Sequence, residues 1–295
     1  MLDFQNVRLE DKNLIKKYLY INRFRNSEYN FTTIMAWQFV YQTQYAIAND
    51  CLLLKSTAED GTTYFYFPLG HIQNIEAAIL SLKAHCKAVG LPMILMNVSQ
   101  EMFAILEALN MRQIFKETEI RDLADYVYMR EKLITLSGKK LHGKRNHLNF
   151  FNANYEARLE PITEANQHLC EKMLRNEIQE RSTRPYEELN ATFMALRYRD
   201  EFGLSSGALF VEDTIIGVIL GECHYDVSVI QVAKANVSYR GASVALFQRF
   251  LSEHLENCQF VNFMEDMGSE GLRKAKLSYS PDHLVNKSIL HLKPI

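Results

Sequence analysis

The chain has 295 residues, with 33 lysines and arginines against 35 aspartates and glutamates, and a formal net charge of −2. This balance excludes a global attraction to nucleic acid or to anionic membranes, so any such partner must be bound by a local patch. The composition is typical of a soluble globular protein, and the length predicts two domains because one core rarely serves so many residues.

The cysteines and the apolar runs bear on the cellular compartment. The five cysteines form no C-x-x-C pair, which argues against a thiolate metal site, and their odd number argues against a closed set of disulfides. No apolar run approaches 18 residues, and the N-terminus lacks the apolar run of a signal peptide. We therefore expect no metal, no transmembrane segment and a cytoplasmic location.

The first half of the chain mixes helices and strands. Residues 9–20 predict a helix that opens with acids, and 45–54 and 63–69 predict strands on either side of a polar turn. Apolar residues then recur at three- and four-residue steps over 75–89, which indicates an amphipathic helix ended by Gly90. A strand (93–98), a helix (100–111) and a further strand within 117–128 complete this half.

The second half repeats this theme. A helical pattern covers 165–182, and a strand pair covers 208–225. A strand (227–237), a helix (241–258) and a strand (259–264) follow. The repetition predicts an α+β protein of two similar domains, each a mixed, mostly antiparallel sheet flanked by helices. The predicted division is 1–135, a basic connecting helix at 136–156, and 157–295.

The connecting helix carries cations on a face that should be buried. Placed on a helix, Leu141, Leu148, Phe151 and Tyr155 form an apolar stripe, and Lys144 falls inside it with Arg145 just beside it. One interpretation is an anion-binding helix for a phosphate-rich ligand such as tRNA or a nucleotide cofactor. The alternative is a linker whose cations pair with acids such as Glu265 and Asp266. The candidate anion-binding residues are Lys139, Lys140, Lys144, Arg145 and Asn146.

A second candidate site lies where an apolar strand runs directly into the helix at 241. Small residues at such a turn let backbone amides approach a phosphate, and the helix N-terminus attracts negative charge. The alternative is an ordinary tight connection. The candidate residues are Tyr239, Arg240, Gly241, Ala242 and Ser243.

The run 262–281 combines acids, glycines and cations. Glu265, Asp266 or the strand residue Glu222 could accept a proton from an attacking amine, and the following cations could bind a phosphate or carboxylate. Tyr279 is among the tyrosines that could donate a proton to a leaving group. The alternative is a loop held by weak surface ion pairs. The candidate binding residues are Asn262, Arg273, Lys274, Lys276 and Tyr279.

These motifs resemble known families. The strand, Y-R-G turn and long helix resemble the acyl-CoA pyrophosphate loop of the GNAT acetyltransferase superfamily. Together, 262–281, the K-K-x-x-x-K-R-N at 139–146 and the K-A-x-x-x-Y-x-G at 234–241 resemble the phosphatidylglycerol lysyltransferase C-terminal-domain family. That resemblance implies two tandem GNAT-like domains and transfer of an aminoacyl unit from aminoacyl-tRNA to a lipid or a peptide amine.

The chain departs from these patterns at three positions. Ser243 stands where the GNAT loop prefers a second glycine, and Ala233 and Met264 stand where the resembling family carries acids. Two functions therefore remain open. The first is an acyl- or aminoacyl-transferase that moves an acyl group from acyl-CoA or aminoacyl-tRNA, without a covalently bound cofactor, to an amine acceptor, with a small-molecule or amine substrate and tRNA as possible partners. The second is a non-catalytic ligand- or partner-binding protein of the same fold.

Overall fold

The computed structural model describes residues 1–294. These form two compact units, one of Met1–Asp125 with the residues from Val285 onward, the other of Tyr126–Leu284. Each unit holds one mixed seven-stranded sheet flanked by helices. The prediction of an α+β protein with two similar sheets is therefore confirmed.

The helices, in chain order, are labelled α1 to α12. They are Lys12–Asn22, Phe31–Ala36, Gln38–Tyr41, Ile72–Val89, Gln100–Ala108, Arg130–Thr135, His142–Asn154, Glu164–Arg181, Pro185–Arg197, Arg199–Phe202, Ala242–Glu253 and Glu270–Leu277. The strands are labelled β1 to β14. They are Gln5–Asn6, Gln44–Ala48, Cys51–Thr57, Thr63–Tyr66, Ile94–Ser99, Phe115–Glu119, Asp125–Met129, Ala157–Glu160, Ser205–Val211, Thr214–His224, Val227–Ala235, Phe260–Asn262, His283–Val285 and Lys287–Leu292.

The two sheets exchange strands between the halves of the sequence. The first sheet has the order β1-β2-β3-β4-β5-β14-β6, and the second has the order β13-β7-β12-β11-β10-β9-β8. Thus β14 lies inside the first sheet and β7 inside the second. The predicted division placed 126–135 in the first domain and the segment from 285 onward in the second. In the compact units, 126–135 belong to the second unit and the residues from Val285 onward belong to the first. The reason is that each strand pairs with strands of the opposite half.

Two elements differ from the predictions. The single strand predicted over 45–54 is a hairpin of β2 and β3, because Asn49 and Asp50 both have positive φ, 51° and 53°. Two residues in that conformation form the tight turn that joins antiparallel strands. Helix α9 also went unpredicted. Its start is marked by Pro185 at the first helical position, which is where proline is favoured.

In the second unit, α11 packs on one face of the sheet. A Cβ added at Gly217 of β10 would lie 3.2 Å from Leu246 of α11, which shows that odd-numbered β10 residues near this point face the helix. On the opposite face, Lys234 of β11 forms a 2.5 Å ion pair with Glu188 of α9. The sheet is therefore covered on both faces.

One pair of cysteines in the second unit is bonded. Cys223 of β10 and Cys258, which follows α11, form a disulfide with Cα atoms 6.2 Å apart, a usual separation for such a bond. The odd cysteine count, which argued against a closed set of disulfides, gave no indication of this single bond. The other three cysteines are free and buried: Cys51, Cys86 and Cys170.

Candidate functional site

The loop 263–269, between β12 and α12, is organised by Asp266. This carboxylate is fully buried and accepts two hydrogen bonds from Arg273, from Nε at 2.9 Å and from Nη2 at 2.8 Å. It also accepts one from the Tyr126 hydroxyl at 2.5 Å and one from the Gly268 amide at 2.9 Å. Burial by itself would raise the pKa of Asp266, but the hydrogen bonds from Arg273 and Tyr126 outweigh it and lower the pKa to about 2. An acid so fully engaged is poorly suited to accept a proton.

Lys276 holds the same loop from the other side. Its ammonium donates to the carbonyl oxygens of Phe263 at 2.7 Å and Met264 at 3.1 Å, and also to that of Glu265. Asn262 stabilises the start of the loop, because its Oδ1 accepts a hydrogen bond from the Met264 amide at 2.6 Å. The φ of Met264 is 61°. Arg273, Lys276 and Asn262, predicted to bind substrate, therefore shape the loop.

Lys144 of α7 meets an aromatic ring. Its ammonium lies 3.8 Å from the centre of the Tyr279 ring, a distance typical of a cation–π contact. Burial lowers the pKa of Lys144 to about 8. The apolar stripe predicted for the connecting helix thus places this cation against an aromatic surface.

Tyr279 links α12 to the start of α11. Its ring lies 5.9 Å from those of Phe247 and Phe263, and Phe263 lies 4.5 Å from Tyr128. Burial raises the pKa of Tyr279 to about 12, and an interaction with Ser243 of α11 opposes that rise. The two hydroxyls are near each other but do not meet full hydrogen-bond geometry. The sequence analysis did not identify Phe247. It lies one helical turn after Ser243, and this spacing places both residues on the same face of α11.

The turn before α11 lies under α7. Gly241 has φ 92°, and a Cβ there would lie 2.3 Å from the His147 carbonyl oxygen. Tyr239 packs on Tyr155, with ring centres 5.2 Å apart, and the Arg240 guanidinium lies 4.5 Å from the centre of the Phe150 ring. Gly241 is therefore required for helix packing. Ala242 is buried at the first position of α11, while Arg240 and Ser243 remain exposed.

The other connecting-helix candidates have different roles. Arg145 donates to the Leu136 carbonyl and, at 2.8 Å, to the Gly138 carbonyl, so it caps the C-terminus of α6. Asn146 is exposed and contacts His142 of its own helix at 3.2 Å. Three of the predicted anion-binding lysines are exposed: Lys139, Lys140 and Lys274. Within the second unit, Lys144 alone of the predicted cations lies against Tyr279.

The structure separates the candidate carboxylates. Glu222 pairs with Val229 in the register of β10 and β11, whereas Ala235, at the end of β11 that leads to Gly241, pairs with Gly217. Six strand residues correspond to roughly 20 Å. Glu222 also faces away from α11, on the sheet face of Lys234. Glu265 is half-buried in the loop 263–269, and its carbonyl is held by Lys276.

Two further features concern metals and membranes. Across residues 1–294, no group of three or more His, Cys, Asp or Glu side chains is arranged to hold a metal ion. Among the helices of the same residues, none is both long and apolar enough to cross a membrane.

Two known proteins are similar to this chain at about 30% sequence identity. The uncharacterized protein MYCGA3080 of Mycoplasmoides gallisepticum is 31% identical over 170 residues, which cover 56% of this chain and 55% of that protein. The match therefore spans about half the length of that relative. A crystal structure of a conserved protein of unknown function from Bacteroides thetaiotaomicron has a TM-score of 0.92 and 30% identity, covering 99% of this chain and 100% of the other.

Two more distant structures share the fold. That of L-PGS from Bacillus licheniformis has a TM-score of 0.65 and 14% identity, covering 97% of this chain and 93% of the other. A tandem GNAT protein from the clavulanic acid biosynthesis pathway has a TM-score of 0.51 and 8% identity, covering all of both chains. The fold is therefore a tandem GNAT-like one, as the motifs predicted.

A family model described as "Phosphatidylglycerol lysyltransferase, C-terminal" matches residues 21–291. Because that match spans most of the sequence, this chain belongs to the phosphatidylglycerol lysyltransferase C-terminal family.

Proposed function

We propose that the second unit transfers an acyl or aminoacyl group from a phosphate-bearing donor, acyl-CoA or aminoacyl-tRNA, to a small amine. The observation that carries the proposal is the position of Lys144 against Tyr279, whose hydroxyl lies near Ser243, the exposed residue in the first turn of α11. A cation, a helix N-terminus and two hydroxyl groups lie together there. Such groups suit a ligand that carries negative charge and a leaving group that needs a proton.

The donor is proposed to lie along the N-terminus of α11. Exposed Arg240 and Ser243 would contact its phosphates, and Lys144 would add positive charge at the inner end. Its reacting carbonyl would then lie near Tyr279. Because the pKa of Tyr279 is raised to about 12, this hydroxyl keeps its proton at neutral pH and is available as a donor.

The chemical step is a nucleophilic acyl substitution. The amine nitrogen forms a bond to the donor carbonyl carbon, and the carbon–sulfur or carbon–oxygen bond to the leaving group breaks. Tyr279 gives its proton to the departing thiolate or alkoxide, and a carboxylate takes the proton of the amine. Glu265 is the proposed acceptor, because Asp266 is bound by Arg273 and Glu222 lies a strand's length away. Holding the amine and the donor carbonyl next to each other supplies much of the rate acceleration in such a reaction.

A non-catalytic role is the second candidate. It is favoured by the use of Asp266, Arg273 and Lys276 as internal supports of the loop 263–269. Ala233 and Met264 also stand where the family pattern has acids. In this case the same surface would bind a phosphate-bearing partner and release it unchanged.

Thermal unfolding with CoA, acetyl-CoA and aminoacylated tRNA tests the binding step. A donor at about 100 times its dissociation constant adds ~2.7 kcal/mol to the free energy of unfolding, which is several degrees for a domain of this size. Transfer of a radiolabelled acyl group to a small amine then separates the two candidates. Phosphatidylglycerol vesicles form a parallel arm, and labelling of the lipid in place of the amine would correct the acceptor.

The matched variants are Tyr279→Phe and Lys144→Met, with the exposed Lys140→Met as control. Tyr279→Phe should bind the donor normally and lose most of the transfer. Lys144→Met should weaken donor binding, and Lys140→Met should leave both unchanged. No thermal shift with any donor contradicts the proposal, and a shift without transfer favours the non-catalytic role.

A further inference from the structure

Lys144 of α7 is a half-buried amine whose contact is an aromatic ring. Its Nζ lies 3.8 Å from the centre of the Tyr279 ring. Among residues 1–294, no carboxylate forms an ion pair with this nitrogen and no oxygen accepts a hydrogen bond from it. An aromatic face compensates an ammonium for lost water less well than a carboxylate does. The surroundings of Lys144 therefore favour the neutral amine over the ammonium.

Two other lysines of the second unit are bound by oxygen acceptors. Lys276 donates to three backbone carbonyls of the loop 263–269, and Lys234 forms an ion pair with Glu188 at 2.5 Å. Such acceptors stabilise the ammonium form and occupy the nitrogen. Within the part of the chain that the structure describes, Lys144 has no such acceptor, so its nitrogen is accessible to a reagent.

The neutral amine is a substantial part of Lys144 near neutral pH. Burial lowers the pKa of Lys144 to about 8, so roughly a quarter of the side chain is neutral at pH 7.5, against about 0.1% for an ordinary lysine. The groups beside it keep their protonation in this range. The pKa of Tyr279 is raised to about 12, and the Arg145 guanidinium, which donates to the Gly138 carbonyl, stays charged.

A desolvated lysine in an apolar setting is an activated nucleophile. We propose that Lys144 is an acylation site, at which the side-chain nitrogen takes an acyl group from a thioester. The nitrogen forms a bond to the carbonyl carbon, the carbon–sulfur bond breaks, and the proton that the nitrogen loses goes to the departing thiolate. The product is an amide, which is much less reactive than a thioester, so the acyl group stays on Lys144.

Acylation would also silence the donor surface. An amide carries no charge, so the modified side chain no longer attracts a phosphate. This consequence rests on the proposed function, in which Lys144 faces the phosphates of the donor, whereas the acylation itself does not. A high concentration of thioester would then limit donor binding through a stable modification of the protein.

Labelling with the acetyl thioester of N-acetylcysteamine tests the site. This reagent lacks the nucleotide and the phosphates of CoA, so its reaction reports the amine and does not require the donor surface. At pH 7.5 we expect Lys144 to be acetylated at least about tenfold faster than exposed Lys140, because far more of its amine is neutral. Peptide mass spectrometry after timed quenching measures both rates in one sample. Equal rates at the two residues overturn the proposal.

The pH profile and an unfolded control separate the folded environment from sequence context. The rate at Lys144 should level off above about pH 8, whereas the rate at Lys140 should keep rising to pH 9.5. In urea-unfolded protein the two lysines should be labelled alike. A preference for Lys144 that persists in urea would contradict the aromatic contact as its cause.

Matched variants assign the fast reaction to one residue. Lys144→Arg keeps the positive charge but removes the amine, and it should abolish the fast phase of acetylation seen in the intact mass. Lys140→Arg should retain that phase. A fast phase that persists in Lys144→Arg contradicts the site.

The effect on donor binding is measured on protein acetylated at Lys144. Its thermal shift with CoA should be lost, and an unchanged shift overturns the silencing. The two proposals fail in different ways. Selective labelling of Lys144 without a thermal shift in the unmodified protein supports the acylation site and contradicts the donor surface. A donor shift without selective labelling supports the donor surface and contradicts the acylation site.

Discussion

At the residue scale, the sequence motif around Asp266 suggested a catalytic role, whereas its contacts in the structure indicate that it stabilises the loop 263–269. The carboxylate receives hydrogen bonds from Arg273, Tyr126 and Gly268. Spacing along the sequence could place Asp266 near Arg273, because only seven positions separate them. It could not reveal that Tyr126, 140 positions away, completes the arrangement.

Replacing Asp266 with asparagine should destabilise the second unit strongly. The substitution removes the charge that Arg273 binds, and removal of one partner of a buried pair costs roughly 3–5 kcal/mol. We expect the lower end, because the Arg273 side chain is 30% exposed. Urea unfolding measures the change, with Glu270→Gln on exposed α12 as control. A loss below about 1 kcal/mol would contradict the structural role.

The pH dependence of stability should report the same group. The pKa of Asp266 is lowered to about 2 in the folded chain, below its ordinary value of 3.8. Its contribution is therefore complete above about pH 4 and is lost as the pH falls toward 2. Unfolding midpoints measured in wild type and Asp266→Asn should converge over this interval. Parallel curves would show that the loss of stability at low pH comes from other groups.

Donor binding at Lys144 should weaken as the pH rises, whereas the contribution of Asp266 to stability is lost as the pH falls. Burial lowers its pKa to about 8, so the ammonium is present below that pH and is lost above it. Binding of a phosphate-bearing donor should weaken as the pH rises through 8, and Lys144→Arg should remove the inflection while retaining affinity. Calorimetric titration from pH 6.5 to 9.5 measures both. An unchanged inflection in Lys144→Arg would assign it to another group.

At the element scale, the packing of α7 on α11 depends on Gly241. Gly241→Ala combines a positive φ with a Cβ placed 2.3 Å from the His147 carbonyl oxygen. The strain and the displacement of α7 should together cost roughly 2–4 kcal/mol. Gly203→Ala is the matched control, because Gly203 has φ 78° and open space around its Cβ position. Similar losses in the two variants would show that α7 does not press on Gly241.

The elements also show what the sequence could predict. Helix α4 was recognisable, because its apolar period ends at Gly90, whose φ of 71° suits a helix C-cap. The β2–β3 hairpin was not, since Asn49 and Asp50 sit inside one apolar run that reads as a single strand. The contacts of Arg145 could not be predicted for a third reason. Its partners are the Leu136 and Gly138 carbonyls, and backbone acceptors leave no trace in residue type.

At the scale of the whole molecule, the disulfide ties the second sheet to the end of α11. Cys223 and Cys258 enclose β11, the Gly241 turn and α11 within 35 residues. Closing a loop of this length stabilises a chain by roughly 3–4 kcal/mol. Reduction should therefore lower the unfolding temperature of wild type and leave Cys223→Ser unaffected. A wild-type protein that carries five reactive thiols after denaturation without reductant would contradict the bond.

The strand exchange has a consequence for the order in which the protein is made. Strand β14 occupies an interior position of the first sheet and brings Lys287 to Asp125 and Glu28. A ribosome synthesises the N-terminal half first, yet that half lacks an internal strand and a buried counter-ion until translation has passed residue 292. The second unit holds all seven of its strands once residue 285 has emerged. During synthesis, the unit encoded second is the first that can finish folding.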